Sequence, residues 1–295
     1  MSILGVLDRE GEVTRINCKF SGKKRIEVNG KPIKDRKELL RNSPCILFSH
    51  EDIAFVKGSP EGKRTFLNQT IGLCDPLFID DLRIYNRVLK MRNTVLRQSG
   101  GDVLDVLDVQ LIEAGLVLMK KRQSLICEFQ EPFAELFHAI SGLEGEISLV
   151  YKPSWSLSSD SSQIREGLNQ KRPRDRQLGI TQTGPHRDML QFRLHGREFT
   201  REASTGQLRL MSLILRVAQA TFYHQKTGKK PLLLLDDVLL ELDPKRRRRF
   251  IQSLPDYDQA LFTFLPEENL LDLPRTDTLI YRVNNGMIQG YEESP

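Results

Sequence analysis

The stretch PLLLLDDVLLELDPKRRRRF, residues 231–250, decides how the rest of the chain is read. Its four leucines at 232–235 show no polar alternation, the pattern of a short parallel strand buried on both faces. Asp236 and Asp237 follow, so their carboxylates stand at the strand's carboxyl end, where open α/β sheets collect ligands. A hard cation such as Mg2+ takes oxygen ligands and keeps much of its water, so Asp236 would hold magnesium through that water shell. Asp237 would polarise an attacking water beside a γ-phosphate, the part of a catalytic base. By itself the stretch is equally a buried strand followed by a solvated acidic turn. The KRRRR run at 245–249 starts a helix whose charges face either solvent or DNA.

Upstream, residues 204–220 read STGQLRLMSLILRVAQA. Ser204 with Gln207 three positions on is a capping box opening an amphipathic helix. Ser204, Gly206 and Gln207, placed just before a Leu-Leu-Asp-Asp strand, reproduce the signature layout of ABC-type ATPases. There the free N–H groups and positive dipole of the helix end meet a γ-phosphate held by a partner subunit. Asp243 falls where those proteins keep a dimer-contact aspartate.

Such a strand normally works with a G-x-x-x-x-G-K-[ST] phosphate loop, and residues 1–295 contain none. GSPEGKRT (58–65) is one residue short between its glycines and has Arg64 where Ser or Thr should follow the lysine. TGKK (227–230) has no glycine at the needed distance upstream. His186-Arg187-Asp188 is like a kinase catalytic loop but lacks a downstream asparagine or Asp-Phe-Gly.

The remaining sequence supports an α/β core split by a helical lobe. Residues 11–30 alternate through Ile16, Cys18, Phe20, Ile26 and Val28, with hairpin turns at Ser21-Gly22 and Asn29-Gly30. A short buried strand is predicted at 44–48. From about residue 61 the period becomes helical, with Phe78, Leu82, Tyr85, Val88 or Leu89, and Val95 or Leu96 on one face. Ser99-Gly100-Gly101 ends that helix; a second passes Leu111, Leu118 and Ile126, and a third runs to about Ile140. Two long helices joined by a glycine turn make an antiparallel arm. A strand is expected at 146–151, and the segment 154–177, with its KRPRDR, reads as an exposed loop, either alone or preceded by a short helix. A strand with a turn at His195-Gly196, a helix from Ser204, strands at 232–235 and 259–264, a helix from about 244 and a hairpin at Asn285-Gly286 complete the chain.

A hydrophobic share of 39% and a charged share of 28% over 295 residues are those of a folded globular protein. The net charge of +5 fits a partner rich in phosphate, or simply a slightly basic cytoplasmic protein. Arg83, Arg87, Lys90, Arg92 and Arg97 on the arm, and Arg172 and Arg174 in the basic segment, are candidate contacts to a DNA backbone. Cys18, Cys45, Cys74 and Cys127 are scattered without metal-ligand spacing. No apolar run is long enough to cross a membrane.

The sequence is similar to the RecF family of bacterial DNA replication and repair proteins, related to SMC-type ATPase heads. The resemblance rests on ILFSHEDIAFVKGSPEGKRTFLN (46–68), KMRNTVLRQ (90–98), TQTGPHRD (181–188), STGQLR (204–209) and PLLLLDDVLLELD (231–243), in family order. It implies an ABC/SMC-type ATPase head with a P-loop NTPase-like sheet, here N-terminally incomplete, and an inserted helical lobe. The implied division is 1–60 for the rest of the N-terminal lobe sheet, 61–145 for the helical arm and 146–295 for the lobe with signature and acidic strand.

By position, the resemblance makes Asp236 the magnesium aspartate, Asp237 the acidic residue beside it, Ser204, Gly206 and Gln207 the signature, and Asp243 the dimer-contact residue. It implies ATP and Mg2+ as cofactors and weak DNA-dependent ATPase activity. The implied protein is a cytoplasmic, ATP-dependent homodimer on single-stranded DNA, linear duplex or junctions. It would act with RecR and RecO, and indirectly RecA, in gap repair and SOS induction. Family members begin with a strand, a glycine-rich loop and a helix, which are expected upstream of Met1. The alternative is a truncated RecF-derived DNA-binding or adaptor protein without ATPase activity. His50, Met189 and Leu240 depart from the family's usual proline, acid and serine.

Overall fold

A computed structural model describes residues 1–9, 11–33, 35–98, 103–240, 242–264 and 278–293. In chain order the first strands are β1 (Ser2–Arg9), β2 (Glu12–Ser21), β3 (Lys23–Val28) and β4 (Lys31–Pro32). Next come α1 (Arg36–Asn42), β5 (Cys45–Phe48), a 3-10 turn over His50–Phe55, α2 (Pro60–Cys74), α3 (Phe78–Arg97) and α4 (Val103–Ser141). They are followed by β6 (Ile147–Lys152), α5 (Ser161–Leu178), β7 (Met189–Leu194), β8 (Arg197–Glu198) and α6 (Phe199–Glu202). The chain closes with α7 (Thr205–Thr227), β9 (Leu232–Leu235), α8 (Pro244–Gln252), β10 (Gln259–Phe262), β11 (Leu279–Asn284) and β12 (Met287–Glu293).

The chain forms two compact units, each assembled from three segments. One takes Met1–Cys45, Arg64–Leu125 and Tyr151–Met189; the other takes Ile46–Lys63, Ile126–Val150 and Leu190–Pro295.

In the first unit, β1 to β4 make an antiparallel meander in that order. The turns fall at the predicted glycine pairs, and Asn29 and Gly30 take the positive φ values, 49° and 77°, that a tight hairpin requires. Helices α3 and α4 run antiparallel: Arg92 meets Asp108, and two turns or more away Asp81 meets Lys121. On these helices Tyr85, Val88, Leu96 and Leu111 are buried, positions that the helical period marked out, and Leu104 is buried with them. The proposed turn at Ser99-Gly100-Gly101 lies outside the described residues.

The structure departs from expectation in two places. Segment 154–177 is mostly helix, not loop: α5 starts at Asp160, whose carboxylate accepts the Gln163 N–H, and ends on Gly179 at φ 66°. Its serines at 161 and 162 lie at the helix start, and Pro173 lies inside the helix, so loop-like composition hid the cap. The second and third helical stretches are one 39-residue helix, α4, which continues through Pro132.

In the second unit, β10, β9 and β5 form one sheet in that order, with β9 and β10 parallel. Leu233, Leu235, Ile46 and Phe48 are all 2% exposed or less. Each such side chain contributes about 1.5–3 kcal/mol on burial. Helix α7 is buried on nearly every side, from Leu208 to Tyr223, and α4 supplies Phe129, Phe133 and Phe137. The Phe129 ring meets Phe222 edge-on at 5.6 Å, and Phe48 meets Phe250 of α8 at 5.8 Å.

Candidate functional site

The end of β9 is held from both sides. The Asp236 N–H donates to the Phe48 carbonyl at 3.1 Å, and the Thr263 N–H, just past β10, donates to the Leu235 carbonyl at 2.9 Å. Asp236 is exposed and Asp237 half-buried, so both carboxylates leave the sheet at its carboxyl edge. Asp237 takes φ 51°, a left-handed conformation that a residue with a Cβ adopts at some cost and that clusters at functional sites. Its N–H donates to Thr263 Oγ1 at 2.8 Å. That hydroxyl lies 3.1 Å from Asp236 Oδ1 and 3.0 Å from Asp237 Oδ1.

Two carboxylates and a hydroxyl are hard oxygen donors suited to Mg2+ through its water shell. Among the described residues no three acidic, His or Cys side chains cluster as a metal cage, so phosphate oxygens and water would complete such a shell.

Helix α7 opens as predicted. Ser204 has extended φ and ψ of −66° and 162°, its hydroxyl accepts the Gln207 N–H at 3.3 Å, and Gln207 Oε1 accepts the Ser204 N–H at 2.8 Å. Ser204, Thr205 and Gly206 are exposed, which leaves the first-turn N–H groups of Thr205 and Gly206 facing solvent. A Cβ on Gly206 would meet nothing within 4 Å among the described residues, so no packing contact there requires its lack of a side chain.

The same helix is anchored by a buried ion pair. Arg216 Nη2 donates to Asp52 Oδ1 at 2.7 Å, its guanidinium lies 4.6 Å from the Phe55 ring centroid, and Asp52 Oδ2 accepts the Ser49 N–H. The 3-10 turn after β5 is thereby tied to the signature helix.

Asp243 caps α8, accepting the Arg246 N–H at 3.0 Å with Pro244 at the first helical position. The stretch GSPEGKRT has a packing explanation. A Cβ on Gly58 or Gly62 would fall 2.3 or 2.5 Å from the Ala54 carbonyl, so both glycines let α2 approach the 3-10 turn.

The basic residues of the first unit divide sharply. Arg87, Lys90 and Arg174 are exposed and have no acidic partner among the described residues. Arg83 is clamped by Asp35, with Nη2 to Oδ1 at 2.8 Å, and also reaches Asp80. Arg172 Nη2 is taken by Asp105, Asp108 and Asn169. Arg92, grouped by sequence with the surface cations, is fully buried between Asp108 (2.6 Å) and Asp175 (2.8 Å), and also donates to Thr181.

The TQTGPHRD segment is the centre of this buried polar system. Arg122 donates to Asp188 at 2.8 Å and to the Pro185 carbonyl at 2.7 Å. His186 Nε2 faces the Thr181 carbonyl at 2.9 Å, so that nitrogen carries the hydrogen, and Nδ1 accepts from the Tyr85 hydroxyl at 2.7 Å. Burial pushes the His186 pKa down from 6.5 to about 4 and the Tyr85 phenol up. Gly184, at φ 128°, is enclosed by Tyr85 and Trp155, where a Cβ would lie 2.7 Å from the Tyr85 hydroxyl.

The chain matches no protein-family model. It is 44% identical over 278 residues to the DNA replication and repair protein RecF of Treponema pallidum (strain Nichols), covering 94% of this chain and 78% of that protein. The chain belongs to the RecF family.

RecF of Halalkalibacterium halodurans is 32% identical over 299 residues, covering 97% of this chain and 81% of its own length. A solved structure described as the recombination mediator protein RecF-ATPrS in the RecFOR pathway superposes with a TM-score of 0.82 at 26% identity. The match covers 97% of this chain and 79% of that one. The fold is that of an ABC/SMC-type ATPase head with a helical lobe, and the family role is DNA replication and repair. Among the described residues no helix is long and apolar enough to cross a membrane.

Sequence reading of this chain missed Thr263, Arg216 with Asp52, and the buried work of Arg92 and Arg122. Thr263 carries no motif, and its partners lie more than 25 positions away, at Asp236 and Asp237. A signal for Arg92 was present, because it lies four residues after the core position Val88 on α3.

Proposed function

We infer that this RecF-family chain works as an ATP-responsive DNA-binding protein of recombinational gap repair. The observation that carries this is the pair of exposed Asp236 and half-buried Asp237 at the end of β9, in the same unit as the open, capped start of α7. Asp236 would hold Mg2+ through water, and Asp237 would orient and deprotonate the attacking water. Bound Mg2+ would supply charge neutralisation at the phosphates. Ser204, Gly206 and Gln207 would meet a γ-phosphate carried by a second copy, with Asp243 beside that contact. Nucleotide would thus join two chains, and hydrolysis would release them.

The DNA would be single-stranded, linear duplex or a junction, bound through its phosphates, with Arg87, Lys90 and Arg174 as contacts. Arg83 and Arg172 have their charge met by Asp35, Asp80, Asp105 and Asp108, and would act on DNA less directly. RecO and RecR would be partners, RecA an indirect one, the cytoplasm the place of action and SOS induction a consequence. The relative described as RecF-ATPrS in the RecFOR pathway supports this reading.

A second reading is DNA binding indifferent to ATP. It is favoured by the lack of a G-x-x-x-x-G-K-[ST] sequence between residues 1 and 295. One titration separates them: DNA affinity of the chain at fixed salt, with and without ATP and Mg2+, beside Asp236→Asn. Tighter DNA binding with ATP that Asp236→Asn abolishes supports the first. Equal affinity in all arms establishes the second.

A further inference from the structure

The Thr263 hydroxyl has one hydrogen to give and faces two carboxylates. It already accepts the Asp237 N–H at 2.8 Å. Its own proton can then go to Asp236 Oδ1 at 3.1 Å or to Asp237 Oδ1 at 3.0 Å, but not to both. The Leu235 carbonyl, at 3.4 Å, is the poorer acceptor by distance and by charge. Thr263 is itself placed by the parallel ladder, where Phe262 pairs with Leu235 and the Thr263 N–H continues the pairing. The hydroxyl therefore sits at the end of a paired strand, whereas Asp237 occupies a backbone conformation that needs outside support.

We propose that Thr263 is the positioning residue of the acidic pair: it pins the Asp237 backbone and directs its single proton to one carboxylate at a time. With Asp236 free, the two carboxylates compete for it. Once Asp236 is engaged by a cation's water shell, its oxygens accept less well and the proton turns to Asp237. That fixes the Asp237 side chain at the moment it must orient a water. No bond is made or broken in this step beyond the exchange of one hydrogen bond for another. The catalytic consequence rests on the ATPase reading above; the pinning of Asp237 does not.

The test compares the full chain with Thr263→Val, which keeps the volume and deletes the hydroxyl, and Thr263→Ser, which keeps the hydroxyl. Thr263 is exposed, so neither change opens a cavity. Amide exchange at Asp237, read by NMR, reports the pinning, and Mn2+ alone, read by paramagnetic broadening of the Asp236 and Asp237 signals, reports cation engagement. Valine is expected to speed Asp237 exchange about tenfold or more and to shift the half-broadening Mn2+ concentration about threefold, with serine restoring both. Where the chain turns over ATP, valine is expected to lower kcat about tenfold with KM little changed, the mark of a contact that matters only in the transition state. Unchanged Asp237 exchange and Mn2+ broadening in the valine variant overturns the proposal. So does a serine variant that behaves like valine. If the unsubstituted chain shows no turnover, the ATPase reading fails, while exchange and Mn2+ broadening still judge Thr263.

Discussion

Arg122 Nη1 and Asp188 Oδ2 are joined at 2.8 Å with side-chain exposures of 2% and 0%. Every nitrogen of the guanidinium is used: Nη1 also reaches the Pro185 carbonyl, and Nε and Nη2 reach Asn68 Oδ1 at 3.2 and 3.0 Å. Asp188 in turn takes the Ser154 N–H at 2.8 Å and the Tyr151 hydroxyl. Removing one charge leaves the other buried without its partner, so Arg122→Met or Asp188→Leu should each cost about 3–5 kcal/mol in urea unfolding. The double variant should cost much less than the sum, because no charge is then stranded. Additive losses would show that the two side chains are not coupled.

Gly206→Ala separates folding from function. The added methyl has open space and α7 gains a better helix former, so thermal unfolding should be unchanged or raised by up to about 0.5–1 kcal/mol. ATP-dependent self-association, followed by sedimentation, should be lost, since the exposed helix start is where another molecule would approach. Ser204→Ala should instead lower stability by about 1 kcal/mol through the lost cap. An alanine at 206 that leaves association intact removes the signature role.

His186 makes the first unit acid-sensitive. Its folded pKa, about 4, lies below the ordinary 6.5, because burial favours the neutral ring. The unfolded chain therefore binds more protons between these values, and the stabilising contribution, complete above pH about 6.5, is lost as pH falls towards 4. At pH 5 the loss from this residue should be about 2 kcal/mol relative to neutral pH. His186→Gln should flatten the urea-midpoint profile over that window, and an unaltered slope would assign the acid sensitivity elsewhere.

The cations of the arm should separate by their partners. Replacing exposed Arg87 and Lys90 with alanine should weaken DNA binding and reduce the slope of log affinity against log salt by about 1 per removed contact, with stability held. Arg172→Ala should chiefly destabilise, since it leaves buried Asp108 with one fewer partner. A uniform effect of all three on affinity would mean that the ion pairs open on binding.

Much of this site was legible in the amino-acid order because its parts are local. A capping box spans four residues, and Ser204 with Gln207 forms it as read. The leucine run, its two aspartates and the start of α8 also need only neighbours in the chain, although the cap that Asp243 supplies there was not read from them. The hairpin turns at Asn29-Gly30 and Asn285-Gly286 follow from residues that tolerate positive φ. Composition misled where loop-like residues sat inside a helix, as in α5.

Tertiary structure alone decided what the charges do. Arg87 and Arg92 lie on the same helix and carry the same charge, yet one is exposed and the other fully buried between Asp108 and Asp175. Thr263 became part of the acidic pair only because β10 runs parallel beside β9. Caps, turns and strand runs are short-range and so are written along the chain. Desolvation and long-range hydrogen bonding depend on which distant segments are brought within a few ångströms, and those are properties of the packed molecule.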